Sequence, residues 1–332
     1  YYKNPIMIKQ IKKVGVIGAG TMGSGIAGQV ANAGIEVWLL DLPSDGENVN
    51  SLSAKGLERL KDPDMPGLMS VAAEKLIRLG NTRDDFHQLE DCDWVAEAVV
   101  ERLDIKQTLY RQLNDVCKGT TIITSNTSTI PISLLTKGMP KKFCERFAIT
   151  HFFNPVRFMR LLELVRGEFT RDDVINTLDM FSETMLGKGV VSCSDTPGFL
   201  ANRVGVFAIQ CALYKAFKYK LSPTEADAFF GRPLGLPKTG VFGLYDLIGI
   251  DLMADVVKSL VNILPKNDTF HKYSSPIEFM TAMITNGQTG NKNEKGFYKQ
   301  AGDEIQVIDL SNGNYGTHER LKTPLLEEAE KN

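Results

Sequence analysis

Little in this sequence favours a metal, a membrane or a nucleic acid. Its 332 residues include 4 histidines, 5 cysteines and 2 tryptophans. The histidines are scattered and no cysteine pair forms Cys-x-x-Cys, so neither a metal site nor a disulfide scaffold is expected. Five widely spaced cysteines (Cys92, Cys117, Cys144, Cys193, Cys211) suit reduced thiols in a cytoplasmic protein. A formal net charge of −2, without a basic run or an aromatic-basic stripe, argues against nucleic acid as a partner. No apolar run reaches the ~20 residues of a membrane-spanning helix, and no secretory apolar region is read near the start. Low-complexity linkers and internal repeats are also lacking. The length exceeds what one hydrophobic core usually holds, so two domains are expected.

What is present is concentrated first in "KKVGVIGAGTMGSGIAGQVANAGIEVWLLDL". Val14 to Ile17 is short, apolar and β-branched, the pattern of a buried parallel strand. The turn Gly18-Ala19-Gly20-Thr21-Met22-Gly23 follows at once, then small periodic residues to Ala33, with Gly34 where a helix ends. A second strand, Val37 to Leu40, ends at Asp41. Gly18 permits the tight turn, Gly20 lets a pyrophosphate approach the backbone, and Gly23 lets helix and strand pack closely. The helix start offers free N–H groups and a positive dipole end to phosphates. Asp41 suits two ribose hydroxyls and would repel a 2′-phosphate, while Leu42-Pro43 supply no arginine to hold one. The expected cofactor is NAD, bound through Gly18, Gly20, Thr21, Met22, Gly23 and Asp41.

Further along, Ser51 to Gly80 reads as helical with a break near Asp62 to Gly67. Trp94 to Val100, Thr121 to Thr124, Phe147 to Ile149, Leu161 to Val165 and Gly189 to Ser192 read as strands. Helices are expected over 104–117 and 171–185. Strands alternating with helices imply a doubly wound, mostly parallel α/β sheet of the Rossmann type. After Asp195-Thr196-Pro197-Gly198-Phe199 the pattern turns helical: 200–220, 222–230, 251–264 and 276–286, with strand signals near 296–310. We place the boundary between residues 1–194, the dinucleotide-binding domain, and 195–332, a mainly α-helical domain for substrate and dimerisation.

In such sheets, ligands sit beyond the carboxyl ends of the strands. Three strand ends carry polar residues: Glu101, Ser125-Asn126, and His151 with Asn154 in "THFFNPV". A neutral imidazole suits removal of a hydroxyl proton while C–H breaks. Glu163 in "LLELV" is an acid inside an apolar strand, costly unless paired. A His151–Glu163 pair fits the pattern of a base and its orienter. Taken locally, His151 reads equally as a satisfied strand-end histidine, Glu163 as an edge-strand acid, Asn154 as a turn residue, and Ser125 as a helix cap. Asn202 reads as a polar residue on a solvated face.

The motifs "GAGTMGSGIA", "SNTSTIPI", "THFFNPV", "LLELV" and "DTPGFLANR" resemble, in order and spacing, those of the 3-hydroxyacyl-CoA dehydrogenases, NAD enzymes of fatty-acid β-oxidation. "GQTGNKNEKGFYK" is similar to the family's C-terminal Gly-Phe-Tyr segment. The resemblance covers nearly the whole chain, with its nearest likeness to bacterial multifunctional enzymes carrying this module ahead of an enoyl-CoA hydratase domain. It implies His151 as catalytic base, Glu163 as its carboxylate, Ser125 near substrate carbonyl and nicotinamide, and Asn202 on the substrate oxygen. It also implies Asn154 beside the nicotinamide, Glu101 and Lys106 at the ribose, and Lys292 closing over the cofactor. An acyl-CoA substrate, a homodimer and a fused or separate hydratase partner follow from the same likeness. The chain departs from the family at "GRPLGLPKTGVFGLYDLIG", where Lys238 and Thr239 bear on the acyl pocket or dimer face. A gulonate-type sugar-acid dehydrogenase on the same scaffold, or a non-catalytic NAD-binding module, are the rival readings.

Overall fold

The structure is a computed structural model that describes residues 10–234, 239–317, 321 and 324–329. It divides into two compact units, Tyr1–Leu200 and Ala201–Asn332. The first runs β1 (Lys13–Ile17), α1 (Thr21–Asn32), β2 (Glu36–Asp41), α2 (Ser51–Arg59), α3 (Val71–Glu74), β3 (Ile77–Asn81) and β4 (Trp94–Glu97). It continues α4 (Leu103–Val116), β5 (Ile122–Ser125), α5 (Ile132–Leu135), α6 (Lys141–Cys144), β6 (Phe147–Phe152), β7 (Leu161–Arg166), α7 (Asp172–Thr184) and β8 (Gly189–Ser194).

These strands form one sheet in the order β3-β2-β1-β4-β5-β6-β7-β8. The first six are parallel, in the order of a dinucleotide-binding sheet, so the order reverses between β1 and β4. The central strands are apolar because both faces are covered. Alternation along β4 sends Trp94 and Ala96 to one face, with Ile26, Val30 and Phe181, and Val95 to the other, with Tyr110, Phe143 and Phe147. Trp94 meets Phe181 edge-on at 5.8 Å between ring centres, and Tyr110 meets Phe147 at 5.0 Å.

One expectation changes here. The helix expected to reach Gly80 stops early, because Ser70 Oγ caps the short α3 and residues 77–81 become β3, an edge strand on β2. Ile77-Arg78-Leu79 alternates with period two, and the open edge of β2 selects that pattern over a helical one. The sheet is mostly parallel, as expected; the exception is β7, which runs antiparallel to β6. The link between them, 153–160, holds no crossover helix, and a parallel return would require one.

The second unit contains α8 (Ala201–Tyr219), α9 (Pro223–Phe229), α10 (Phe242–Ile248), α11 (Ile250–Ile263), α12 (Glu278–Thr285) and α13 (Pro324–Ala329). A small antiparallel sheet is built from β9 (Tyr298–Ala301), β10 (Glu304–Ile308) and β11 (Tyr315–Thr317). Leu213, Ala216, Phe242, Tyr245, Ile250 and Phe297 form its core. Helix α9 starts with a capping box between Ser222 and Glu225. Helix α10 was not expected; the N–H groups of Phe242 and Gly243 are held by Asp227 of α9, a long-range cap. Thr239 lies just ahead of α10, whereas Lys238 falls outside the described residues. Among the described residues no helix is long and apolar enough to cross a membrane.

Candidate active site

The loop after β1 is shaped for close approach. Gly18 has φ +98°, and a Cβ there would sit 2.5 Å from the Ala98 carbonyl oxygen. A Cβ on Gly20 would meet no described atom within 4 Å, so the space it leaves opens outward. Gly20 is also the N-cap of α1 and offers no side-chain acceptor, so the first-turn N–H groups of Thr21, Met22 and Gly23 are left to a ligand. This open cradle fits a pyrophosphate. Asp41 closes it from β2: Oδ2 accepts the Ala19 N–H at 2.6 Å and Oδ1 the Leu42 N–H at 2.7 Å. A carboxylate has further lone pairs, so ribose hydroxyls can still donate to it. Arg59 of α2 reaches the same loop, donating to the Ala19 carbonyl at 3.0 Å. Sequence reasoning missed Arg59, because only the fold brings α2 beside the glycine turn.

Across the reversal point, β4 ends in Glu97, which is fully buried. Lys106 Nζ donates to Glu97 Oε1 at 2.6 Å, and Tyr110 and Ser125 hydroxyls donate to Oε2 at 2.6 and 2.7 Å. Lys106 also reaches Glu101 Oε2 at 3.2 Å. Burial pushes the Glu101 carboxyl up, but the Lys106 charge and hydrogen bonds from Thr127, Lys106 and Thr129 outweigh it and hold the group below its ordinary value. A pocket of about 250 Å³ is lined by Met22, Glu101, Lys106, Asn126, Ser128 and His151, among others. It thus joins the start of α1 to the end of β6. Asn126 Oδ1 accepts the Phe152 N–H at 2.9 Å, which leaves its NH2 group as a donor.

His151 and Glu163 are cross-strand partners in the β6–β7 ladder. Nδ1 lies 2.7 Å from Glu163 Oε2. The other oxygen, Oε1, accepts the Leu200 N–H at 2.9 Å and lies 3.8 Å from Cys193 Sγ. Glu163 has no exposed surface and His151 is 7% exposed. A carboxylate accepts, so Nδ1 carries the proton and Nε2 keeps its lone pair. The rings of Phe153 and Phe199 stand 4.5 and 5.7 Å from the imidazole and fix its plane. Phe199 and Leu200 come from the turn "DTPGFL", where Gly198 and Phe199 have φ +74° and +47°. The motif therefore delivers a ring and an N–H to the pair. Burial first, then the Glu163 charge, raises the Cys193 thiol to about 11, so it stays protonated.

The remaining expected residues are placed less closely. Ser125 is fully buried and its hydroxyl is committed to Glu97, which corrects the expectation that it faces substrate. Ser128, three residues along the same "SNTS" run, lines the pocket instead. The sequence carried both serines, and the strand end decided between them: β5 stops at Ser125, so Ser128 lies on the loop beyond it. Asn154 follows β6 in an exposed turn. Asn202 is the second residue of α8, partly buried, and Lys292 pairs with Asp251 at 2.5 Å; both belong to the second unit. Among the described residues no cluster of three or more His, Cys, Asp or Glu side chains has a metal-site arrangement.

Comparison with known proteins follows the same division. Residues 13–196 match the model of the 3-hydroxyacyl-CoA dehydrogenase NAD binding domain, and residues 198–300 match the C-terminal domain of that family. A probable 3-hydroxyacyl-CoA dehydrogenase of Deinococcus radiodurans is 40% identical over 89% of this chain and 84% of its own length. A putative fatty acid oxidation complex trifunctional enzyme of Rickettsia prowazekii is 41% identical over 93% of this chain. The chain spans 44% of that relative's length. The solved (S)-3-hydroxybutyryl-CoA dehydrogenase of Ralstonia eutropha superposes with a TM-score of 0.74 at 32% identity, covering 88% of this chain and all of that one. With both family domains present in order, the chain belongs to the 3-hydroxyacyl-CoA dehydrogenase family.

Proposed function

We propose that this chain catalyses NAD-dependent oxidation of an (S)-3-hydroxyacyl-CoA to the 3-oxoacyl-CoA, as in fatty-acid β-oxidation. The observation that carries the reading is the buried His151–Glu163 pair, 2.7 Å apart, whose histidine lines the pocket that also reaches the start of α1. Bound NAD+ supplies the hydride acceptor. His151 Nε2 takes the proton from the substrate hydroxyl as its C–H bond breaks. Glu163 holds the ring in the correct tautomer and offsets the imidazolium charge that forms. Ser128 and the Asn126 NH2 donate to the substrate oxygen from the pocket wall, and Asn202 is proposed as a substrate contact on the strength of the family motif alone. Gly18, Gly20 and Gly23 with the first turn of α1 take the pyrophosphate. Asp41 takes the adenosine ribose, and Glu101 and Lys106 the nicotinamide ribose. Asn154 and Lys292 are kept as cofactor contacts on the strength of the family motifs.

The similarity to 3-hydroxyacyl-CoA and 3-hydroxybutyryl-CoA dehydrogenases supports a CoA thioester as substrate over a sugar acid and favours an enzyme over a non-catalytic module. We further propose a homodimer through the second unit, which exposes Leu247, Val204 and Leu252. The trifunctional relatives support a hydratase as fused or separate partner. Five free cysteines support a reducing compartment, the cytoplasm. The test is NADH consumption with acetoacetyl-CoA, wild type beside His151→Ala. Turnover that collapses in the variant while NADH still binds supports the reading. A wild type that binds NADH yet leaves short and long 3-oxoacyl-CoA unreacted overturns it.

A further inference from the structure

One acid of the site lies beneath the pocket wall rather than on it. The Glu97 carboxylate accepts four donors: the Val99 N–H at 2.8 Å and Lys106 Nζ at 2.6 Å on Oε1, and the Tyr110 and Ser125 hydroxyls at 2.6 and 2.7 Å on Oε2. Both Glu97 and Lys106 are out of water, at 0% and 1% side-chain exposure. Burying that ammonium requires a full opposing charge within contact, and Glu97 provides it. Lys106 then also reaches Glu101 on the pocket edge at 3.2 Å. Two carboxylates against one ammonium leave this corner with a net charge of −1. At the other end of the pocket, Glu163 pairs with His151.

The distribution matches the charge movement of the reaction. With NAD+ bound, the substrate would lose a hydride to the cofactor and a proton to His151 Nε2. One positive charge therefore leaves the nicotinamide ring and one appears on the imidazole. Glu163 faces the second of these positions. Lys106 and Glu101 lie on the pocket wall on the side assigned to the first, with Glu97 beneath them. We propose that Glu97 and Glu101, acting around Lys106, set the charge of this corner and so discriminate the oxidised cofactor from the reduced one. Glu97 is a positioning residue here, acting through Lys106. The inference rests on the NAD reading of the pocket.

The test is the ratio Kd(NAD+)/Kd(NADH), each measured by calorimetric titration of the full chain without substrate. Glu97→Gln and Glu101→Gln should each raise this ratio roughly tenfold, the scale of one unit charge about 12 Å from the ring at an effective dielectric near 20. The double variant Glu97→Gln with Lys106→Met restores the charge sum and should return the ratio to within about threefold of wild type. A ratio that stays constant while both affinities fall together makes the cluster merely structural and overturns the proposal. If melting curves show that Glu97→Gln does not fold, Glu101→Gln decides by the same criterion, since Glu101 is 40% exposed. A folded wild type that binds neither NAD+ nor NADH instead overturns the cofactor reading beneath it.

Discussion

Glu163→Gln preserves the shape of the side chain and removes its charge, so it separates orientation from electrostatics in the proton-accepting pair. The carboxylate is fully buried, with His151 Nδ1 on one oxygen and the Leu200 N–H on the other. Glutamine can accept from one of these and not both. If its oxygen faces His151, its NH2 confronts the Leu200 N–H, donor against donor. If its oxygen faces Leu200, its NH2 donates to Nδ1, and the proton moves to Nε2, where the base lone pair should be. The first arrangement leaves one N–H unmatched, a cost of about 1–3 kcal/mol in stability, and the second keeps every group matched but puts the proton on the wrong nitrogen. The charge loss falls on the transition state. Two unit charges ~4 Å apart at an effective dielectric of about 20 interact by ~4 kcal/mol. That corresponds to a loss of roughly 10³ in kcat, with KM for 3-oxoacyl-CoA little changed. The assay is steady-state NADH consumption with acetoacetyl-CoA, with a thermal melt as control for folding. A folded variant whose kcat stays within about threefold of wild type would refute a role for this charge in catalysis.

Four further outcomes are expected. Gly20→Ala should leave Tm unchanged, because the new Cβ meets no described atom within 4 Å, yet weaken NADH binding by tenfold or more, of order 1.4 kcal/mol; titration with NADH checks it. Gly18→Ala should lower stability by about 2 kcal/mol or more, since φ is +98° and Cβ would crowd the Ala98 carbonyl, as a urea melt would show. Ser128→Ala should cut kcat by tenfold or more with Tm intact, while Ser125→Ala should destabilise by about 1–2 kcal/mol, because it strips a donor from buried Glu97; the reverse pattern of kcat and Tm would exchange their roles. The last concerns Asp246, whose carboxyl burial, opposed by the Phe297 and Tyr298 N–H groups and helped by the Asp227 charge, pushes up to about 6. Its unfolded value is near 3.9, so the native state binds the proton more tightly and stability rises as pH falls through about 6 toward 4, by at most ~3 kcal/mol. Asp246→Asn should lose this acid gain, and equal slopes of Tm against pH in variant and wild type would contradict it.

How much of the site could be read from the chain depended on how local each feature was. The glycine turn, the helix behind it and Asp41 are contiguous, and their chemistry is that of a strand handing over to a helix. His151 and Glu163 each carried a local signal, an ionisable group at the edge of an apolar run, but local evidence left the pairing open. The ladder register His151↔Glu163 settles it, and that register exists only because β7 turns back antiparallel. Strand alternation could not separate Ser125 from Ser128; the point where β5 stops did. Arg59 beside the glycine loop, the long-range cap of α10 by Asp227, and the Glu97 hub left no mark in the sequence, because their partners lie on other elements.

By itself, the sequence determined the class of fold, the dinucleotide turn and the inventory of groups available for chemistry. These follow from short-range rules: β-branched apolar runs, glycine where a Cβ cannot fit, helix periodicity. Tertiary structure alone decided which acid meets which base, which serine faces the pocket, and how a buried lysine is shared between two carboxylates. Those outcomes depend on strand order and register, which bring distant residues within 3 Å or so, where hydrogen bonds and unscreened charge take over from propensity.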